Sequence, residues 1–371
     1  MGVYEKLGVK PLINAWGTIT RVGGSRMHPD VLEAMKEASL SFVDMHVLHK
    51  NAGESIAKLL GVPAACITSG AAAGLAVAAA ACMAGSDSSK VLELPDTRSM
   101  PSEALVLKSH RMLYDQGLRL SGASFVEVGV TSYASLDQIE AAITDQTAMF
   151  FYAAEAVSMR GSLPLEAIAR LLKPHGIPII VDAAAELPPT SNLTAFLDAG
   201  ADLVVFSGGK ELRGPQSSGL ILGTQELIDH CDANSFPNYG VGRAMKTDKE
   251  TMVGLVRAVE LFVQRDYDAI RVTWDGMVDR MVTDLGGIES IVIRRGLPTQ
   301  PGVQPADVAR AYIQPLRATA SELQARLRDG STPVASGVEG YELVLNPQCL
   351  ELDELDPLVA AVKEALDSVC T

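Results

Sequence analysis

A chain of 371 residues, 47% apolar and 20% charged, has room for one large domain plus a smaller one, and its composition excludes a disordered polymer. A formal charge of −14 opposes any strong sequence-independent attraction to nucleic acid or anionic lipid, while leaving room for a local basic site that holds a small anion. Aromatic residues are only 5%, a balance that suits parallel strands under alanine-rich helices better than an aromatic-filled sandwich.

The first residues, MGVYEKLGVKPLINAWG, lack a basic segment followed by an apolar one, so no secretory signal is expected. His28-Pro29-Asp30 opens a helical pattern that runs from Asp30 to Ala38, and a second covers Asn51 to Leu60 and stops at Gly61. Short apolar strands follow: Ala65–Thr68, Ala104–Leu107, Phe125–Val128, Ala148–Phe151, Ile177–Val181, Leu203–Phe206 and Gly219–Leu222. Helical patterns such as Leu136–Ile143 and Leu165–Leu172 separate several of them, which predicts crossovers and a mainly parallel α/β sheet.

The most apolar stretch, Ala64 to Ala84, nearly reaches the length of a membrane span. Thr68, Ser69, Gly70 and Gly74 interrupt it, so it reads as strand, turn and buried helix, and no membrane association is expected. From Glu250 to about Leu285 one long amphipathic helix is predicted, with a break near Thr273. Beyond Gly286-Gly287 come a strand over Ile288–Arg294, a loop over Leu297–Pro305, a strand over Val308–Ile313, a helix over Ser321–Leu327, a strand over Tyr341–Leu345 and a closing helix over Leu355–Leu366. The expected domains are an N-terminal segment over 1–45, a large domain over 46–265 and a small α/β domain over 266–371. Cys66, Cys82, Cys231, Cys349 and Cys370 are scattered without CxxC or metal-ligand spacing; reduced thiols, a cytoplasmic setting and no metal are expected.

Three motifs carry chemistry. Leu203-Val204-Val205-Phe206-Ser207-Gly208-Gly209-Lys210 delivers a lysine from an apolar strand through a small turn. Alone, that is more often a surface lysine after a tight turn. Pro178-Ile179-Ile180-Val181-Asp182 places an acid at the carboxyl end of another apolar strand, where ligands of open α/β sheets bind. Alone it could be a capping residue. Thr68-Ser69-Gly70-Ala71-Ala72-Ala73 opens a helix whose free N–H groups, with Ser69, suit an anion, although close helix–sheet packing also asks for small residues. An acid facing a pyridinium nitrogen beside a lysine and a phosphate cradle would suit pyridoxal phosphate.

The wording of Asp182-Ala-Ala-Ala-Glu-Leu-Pro-Pro189, Phe206-Ser-Gly-Gly-Lys-Glu-Leu-Arg-Gly-Pro-Gln-Ser-Ser-Gly219 and Gly242-Arg-Ala-Met-Lys-Thr-Asp-Lys-Glu250 resembles the selenocysteine synthase (L-seryl-tRNA selenium transferase)-like family of fold-type-I pyridoxal phosphate enzymes. Within it the D-glucosaminate-6-phosphate ammonia-lyase branch is most similar. The likeness extends from Leu12-Ile13-Asn14-Ala15 through Gly254 and weakly to Asn346-Pro347; Trp16 and the region Pro298–Ala320 depart from it.

The resemblance implies a fold-type-I enzyme with a small C-terminal domain, pyridoxal phosphate on Lys210, and His110 over the cofactor ring. It implies a phosphate site at Ser69, Gly70, Ala71, Ala72 and Ser207, with Arg213 and Gln216 near the cofactor. Thr20, Arg21, Arg213, Arg243 and Lys246 are candidates for holding an anionic amino acid or amino-sugar acid. The implied reaction removes the α-proton with Lys210 while Asp182 keeps the ring nitrogen protonated; a β-hydroxyl leaves and the product hydrolyses to a 2-keto acid and ammonia. Racemisation, retro-aldol cleavage or β-replacement could follow the same proton removal, and an inactive cofactor-binding regulator is the alternative from another class. The short run before the first motif and the acidic charge speak against selenium transfer to charged tRNA. A homodimer or larger homo-oligomer is implied.

Overall fold

A computed structural model describes residues 2–300 and 302–370, the last three by backbone alone. In chain order its strands are β1 (Ile13–Ala15), β2 (Ala64–Thr68), β3 (Glu103–Leu107), β4 (Ser124–Val128), β5 (Thr147–Ala153), β6 (Ile179–Asp182), β7 (Leu203–Ser207), β8 (Gly219–Gly223), β9 (Ile291–Gly296), β10 (Arg310–Pro315), β11 (Val334–Glu339) and β12 (Glu342–Leu345). Residues 27–265 form one compact unit, and those up to 26 form another with those from 266 onward. The expected segment 1–45 is therefore divided between the two units.

The larger unit holds a seven-stranded sheet in the order β2-β8-β7-β6-β5-β3-β4. Strands β4, β3, β5, β6 and β7 are parallel, and β8 runs against both of its neighbours. The segment joining β7 to β8 contains no crossover helix, so β8 returns antiparallel. β5 through β8 are almost wholly buried, which is why they read as continuous apolar runs rather than alternating ones.

The apolar stretch after β2 becomes the helix Ala71–Ala84, buried on nearly every side. It packs on β5 to β8 and against the helices Gln116–Leu120 and Gln225–Asn234. Alanines let it sit close: even a methyl group on Gly74 would come within 2.8 Å of Val205. Among the described residues no helix is long and apolar enough to cross a membrane.

The helix Met45–Leu60 starts earlier than periodicity predicts because the Asp44 carboxylate accepts from the N–H groups of His46 and Val47. Its His49 ring is buried, with Nδ1 2.9 Å from Asp232 Oδ1 and Nε2 2.7 Å from the Ile67 carbonyl. Both nitrogens face acceptors, so the ring is a doubly donating cation that ties this helix and Gln225–Asn234 to β2. Burial opposes that charge, but Cys66 and Asp232 favour it and the pKa rises to about 11.

The predicted long helix breaks at 264–266 rather than near Thr273. Lys249–Val263 ends there, and Asp266 caps Tyr267–Leu285 by accepting from Ala269 N–H at 3.0 Å. Thr273 stays helical, its hydroxyl donating back to the Ala269 carbonyl at 3.0 Å. The smaller unit has a five-stranded sheet, β1-β11-β12-β10-β9, to which β1 adds as a parallel edge strand. Neither β1 nor β11 was predicted; a three-residue strand is too short to show alternation, and β11 carries Ser336 and Gly337. The 297–305 stretch forms no strand or helix among its described residues, and Pro301 within it lies outside them.

Gly53 separates two opposing effects. Alanine in a helix interior normally stabilises by about 1 kcal/mol over glycine. Here a Cβ would lie 2.2 Å from the Ala65 carbonyl oxygen, a backbone atom held in β2. Gly53→Ala is expected to destabilise by about 1–3 kcal/mol, seen as a lower denaturant midpoint with unchanged slope.

Candidate active site

The carboxyl ends of β2, β3, β5, β6 and β7 lie along one edge of the sheet, because these strands share a direction. Thr68-Ser69-Gly70, His110, Asp182 and Ser207 through Lys210 all leave the sheet there.

Lys210 is delivered by a turn that only glycine permits. A Cβ on Gly208 would sit 2.0 Å from Ser218 Oγ, and one on Gly209 would sit 2.6 Å from Gln216 Cα. The loop returns through Arg213, whose φ of 53° is left-handed and whose N–H donates to the Lys210 carbonyl at 2.9 Å. Among the described residues the Lys210 amine has no ion pair within 4.0 Å and no hydrogen bond. Burial depresses its pKa, while Asp182, Glu155 and Glu186 oppose that shift.

Asp182 ends β6 with 6% exposure and accepts one bond, from Ala184 N–H at 3.0 Å. Burial pushes its carboxyl pKa up, and the Ala184 N–H and the Lys210 charge pull it down. One N–H is thin compensation for a buried carboxylate, so the position calls for a cationic partner.

At the end of β2, Gly70 takes φ of 97° and opens the helix Ala71–Ala84 without a side-chain cap. The first intrahelical bond to reach Gly70 comes from Gly74 N–H at 3.0 Å, so the N–H groups of Ala71, Ala72 and Ala73 have no partner in their own helix. Such an end suits a phosphate. Gly219 of β8 packs directly on it, and a Cβ there would meet the Gly70 carbonyl carbon at 2.4 Å. The Ser69 hydroxyl, expected as a phosphate donor, instead donates to the Met245 carbonyl at 2.9 Å. It thereby holds the loop that carries Arg243 and Lys246 beside the uncapped end.

Arg243 and Lys246 are exposed, and the Arg243 guanidinium lies over the rings of Phe236 and Tyr239 at 5.4 and 5.9 Å. Gln216 is exposed on the returning loop, and Ser207 pairs with Gly219 as the half-buried last residue of β7. Thr20 and Arg21 form an exposed turn in the smaller unit.

His110 is fully buried at the end of β3. Its Nδ1 accepts from Ala153 N–H at 3.1 Å, so Nδ1 is unprotonated and Nε2–H donates to Ser162 Oγ at 2.8 Å. Tyr152 packs edge-on, with centroids 4.5 Å apart. Burial lowers the His110 pKa to about 4. The ring is thus neutral, held in one tautomer and one plane. Neighbouring Arg111 is committed to Asp115 and Glu127.

Glu155 and Glu186, absent from the predicted site, prove to share the surroundings of Lys210. Each follows an apolar strand by a few residues, the same signal that marked Asp182. Taken together, an uncapped helix end, a buried acid in need of a cation and a partnerless, half-buried amine fit the phosphate, ring nitrogen and aldehyde carbon of pyridoxal phosphate.

The family model for L-seryl-tRNA selenium transferase matches residues 115–289. The chain is similar to D-glucosaminate-6-phosphate ammonia lyase of Salmonella typhimurium, 36% identical over 267 residues, with 71% of this chain and 70% of that protein covered. It is also similar to 5'-C-glycyluridine monooxygenase-decarboxylase of a Streptomyces species, 37% identical over 275 residues, with 72% and 65% covered. A solved structure of D-glucosaminate-6-phosphate ammonia-lyase superposes with a TM-score of 0.86 and 28% identity, covering 100% of both chains.

The tautomer of His110 has a measurable consequence. As pH falls below 6.5 the unfolded histidine takes up a proton that the folded ring refuses until about pH 4, so stability present above pH 6.5 is lost over that interval. The ring ¹⁵N shifts of His110 are expected to stay those of a neutral Nε2–H tautomer down to about pH 5; a midpoint near 6.5 would contradict the assignment.

Proposed function

We propose a function from one premise: the chain belongs to the L-seryl-tRNA selenium transferase family, and its cofactor is pyridoxal phosphate. The enzyme is an ammonia-lyase that acts on a 2-amino-3-hydroxy acid, an amino-sugar acid such as D-glucosaminate 6-phosphate, and yields a 2-keto acid. The observation that carries this reading is the half-buried, partnerless Lys210 amine beside Asp182, in a chain similar along its whole length to a D-glucosaminate-6-phosphate ammonia-lyase.

Lys210 and Asp182 would hold the cofactor at its reactive carbon and its ring nitrogen, with the N–H groups at Gly70–Ala73 on its phosphate and His110 over its ring. When bound, pyridoxal phosphate supplies an electron sink next to the substrate α-carbon. Lys210, its proton affinity reduced by burial, accepts the α-proton at Nζ. His110, neutral and fixed by Ala153 and Ser162, offers a flat apolar face and brings no charge to the ring. Asp182 supplies the negative charge that keeps a ring nitrogen cationic. Arg243 and Lys246 lie free to meet an anionic substrate group.

The family name speaks of seryl-tRNA, whereas a net charge of −14 favours a small-molecule substrate for this chain. Cys66, Cys82 and Cys231 are unpaired thiols, which supports a cytoplasmic setting. Exposed Leu40, Phe42 and Val43 supply an apolar patch on the larger unit, in keeping with an assembly of at least two copies.

Incubation with D-glucosaminate 6-phosphate is expected to give ammonia and keto acid in equal amounts, and Lys210→Ala should lower the rate by roughly 10²–10⁴-fold or more. Epimerised substrate without ammonia, or carbon–carbon cleavage, would overturn the reading in favour of the racemase or aldolase outcome. Oxygen uptake with release of carbon dioxide from 5'-C-glycyluridine would favour the activity of the second relative. In light scattering the protein should have at least twice the chain mass, and Phe42→Asp should shift it toward one chain with helix content unchanged. A wild-type protein that is already a single chain would refute the assembly.

A further inference from the structure

The α-proton and the cofactor occupy Lys210 and Asp182, but a hydroxyl that leaves also needs a proton. Nothing assigned so far supplies it. Glu155 and Glu186 stand where such a donor would be useful.

Ala153 of β5 is the register partner of Asp182 on β6, and Asp182 is the partner of Val205 on β7. Glu155, Glu186 and Lys210 leave those same three strands just beyond this common rung. Their backbones are fixed. Glu155 lies within the turn Ala154–Ala156, the Glu186 N–H donates to Ala183 at 3.2 Å, and the Glu186 carbonyl accepts from Asn192 Nδ2 at 2.7 Å. Their carboxyl groups are not: both are half-buried, and among the described residues neither has a hydrogen bond or an ion pair within 4.0 Å. Two held acids with unspent oxygens, flanking a catalytic amine, are a costly arrangement unless a ligand uses them.

The charged and titratable groups that bear on the pair are Asp182, Lys210 and Tyr152. Burial raises the Glu186 pKa to about 7, with Glu155 and Asp182 adding repulsion and Lys210 opposing. Burial and then Asp182 raise that of Glu155. Neighbouring carboxylates of this kind retain a proton between them near neutrality.

We propose that Glu186 is a second catalytic residue, the proton donor to the departing β-hydroxyl, and that Glu155 is the positioning residue that keeps the proton on it. The inference rests on the elimination reading above. In the step, the Cα–H bond breaks and its proton passes to Lys210 Nζ. The Cβ–O bond breaks, its electron pair leaves with oxygen, and that oxygen takes the Glu186 proton to depart as water. The Cα–H pair becomes the Cα=Cβ bond. Lys210 has then gained the proton that Glu186 lost, and transfer from the ammonium to the carboxylate restores both groups without an outside acid.

The experiment compares Glu186→Gln, Glu155→Gln and wild type on two substrates, one with a 3-hydroxyl and one with a 3-chloro group, since chloride leaves without a proton. Glu186→Gln is expected to lose roughly 10²–10⁴-fold on the hydroxy acid. It should keep wild-type elimination of chloride and wild-type exchange of the α-hydrogen with deuterated water. Independently of turnover, infrared titration of the cofactor-free protein should show a protonated-carboxyl band that disappears with a midpoint near pH 7. The band should be absent in Glu186→Gln and shifted to lower pH in Glu155→Gln. Undiminished hydroxy-acid elimination by Glu186→Gln, equal loss on both substrates, or an unchanged infrared band would overturn the inference alone. A wild type that eliminates from neither substrate would overturn the ammonia-lyase reading, and this inference with it.

Discussion

The site depends on one constraint: a carboxylate buried at the end of β6 has to be balanced by positive charge. Asp182 receives a single backbone N–H, so its surroundings are organised to bring charge to it rather than water. Lys210 arrives from the adjacent strand, and its own desolvation is moderated by Asp182, Glu155 and Glu186. Neither side of this balance is stable by itself. The acids keep a half-buried amine from being purely a cost, and the amine keeps three acids from repelling one another without relief. A bound cation such as a pyridinium ring completes the set.

Close packing makes the remainder possible. Gly208 and Gly209 admit the returning loop, and Gly219 lies against Gly70, so β8 seats the helix whose first N–H groups have no partner in their own helix. The long run of alanine in that helix lets it settle onto β5 through β8 without displacing them. Small residues here are required by backbone distance, which sets how near the helix can come. Ser69 then joins this end to the Arg243–Lys246 loop through the Met245 carbonyl.

His110 shows a different use of the same scaffold. Hydrogen bonds from Ala153 and to Ser162 decide which nitrogen carries the proton before any ligand arrives. The result is a neutral plane at the end of β3.

Much of this was legible in the sequence. Apolar runs marked β2, β3 and β5 through β8 because strands buried on both faces leave an uninterrupted hydrophobic record, and an acid or a lysine at such an end is conspicuous. The resemblance of the 182–189, 206–219 and 242–250 segments supplied the cofactor and the family. What the sequence did not disclose depends on register and capping. The break before Asp266 turns on one side chain accepting a bond, and β1 is too short to show a pattern. Glu155 and Glu186 belong with Lys210 only because Ala153, Asp182 and Val205 share a rung of the sheet, and the tautomer of His110 depends on a backbone N–H more than forty residues away. By itself, then, the sequence determined the order of most strands and helices, since that is written in local periodicity and composition, and its resemblance to a family singled out Lys210. Only the tertiary structure decided which acids surround that lysine and which proton each group carries, because strand pairing and burial set both.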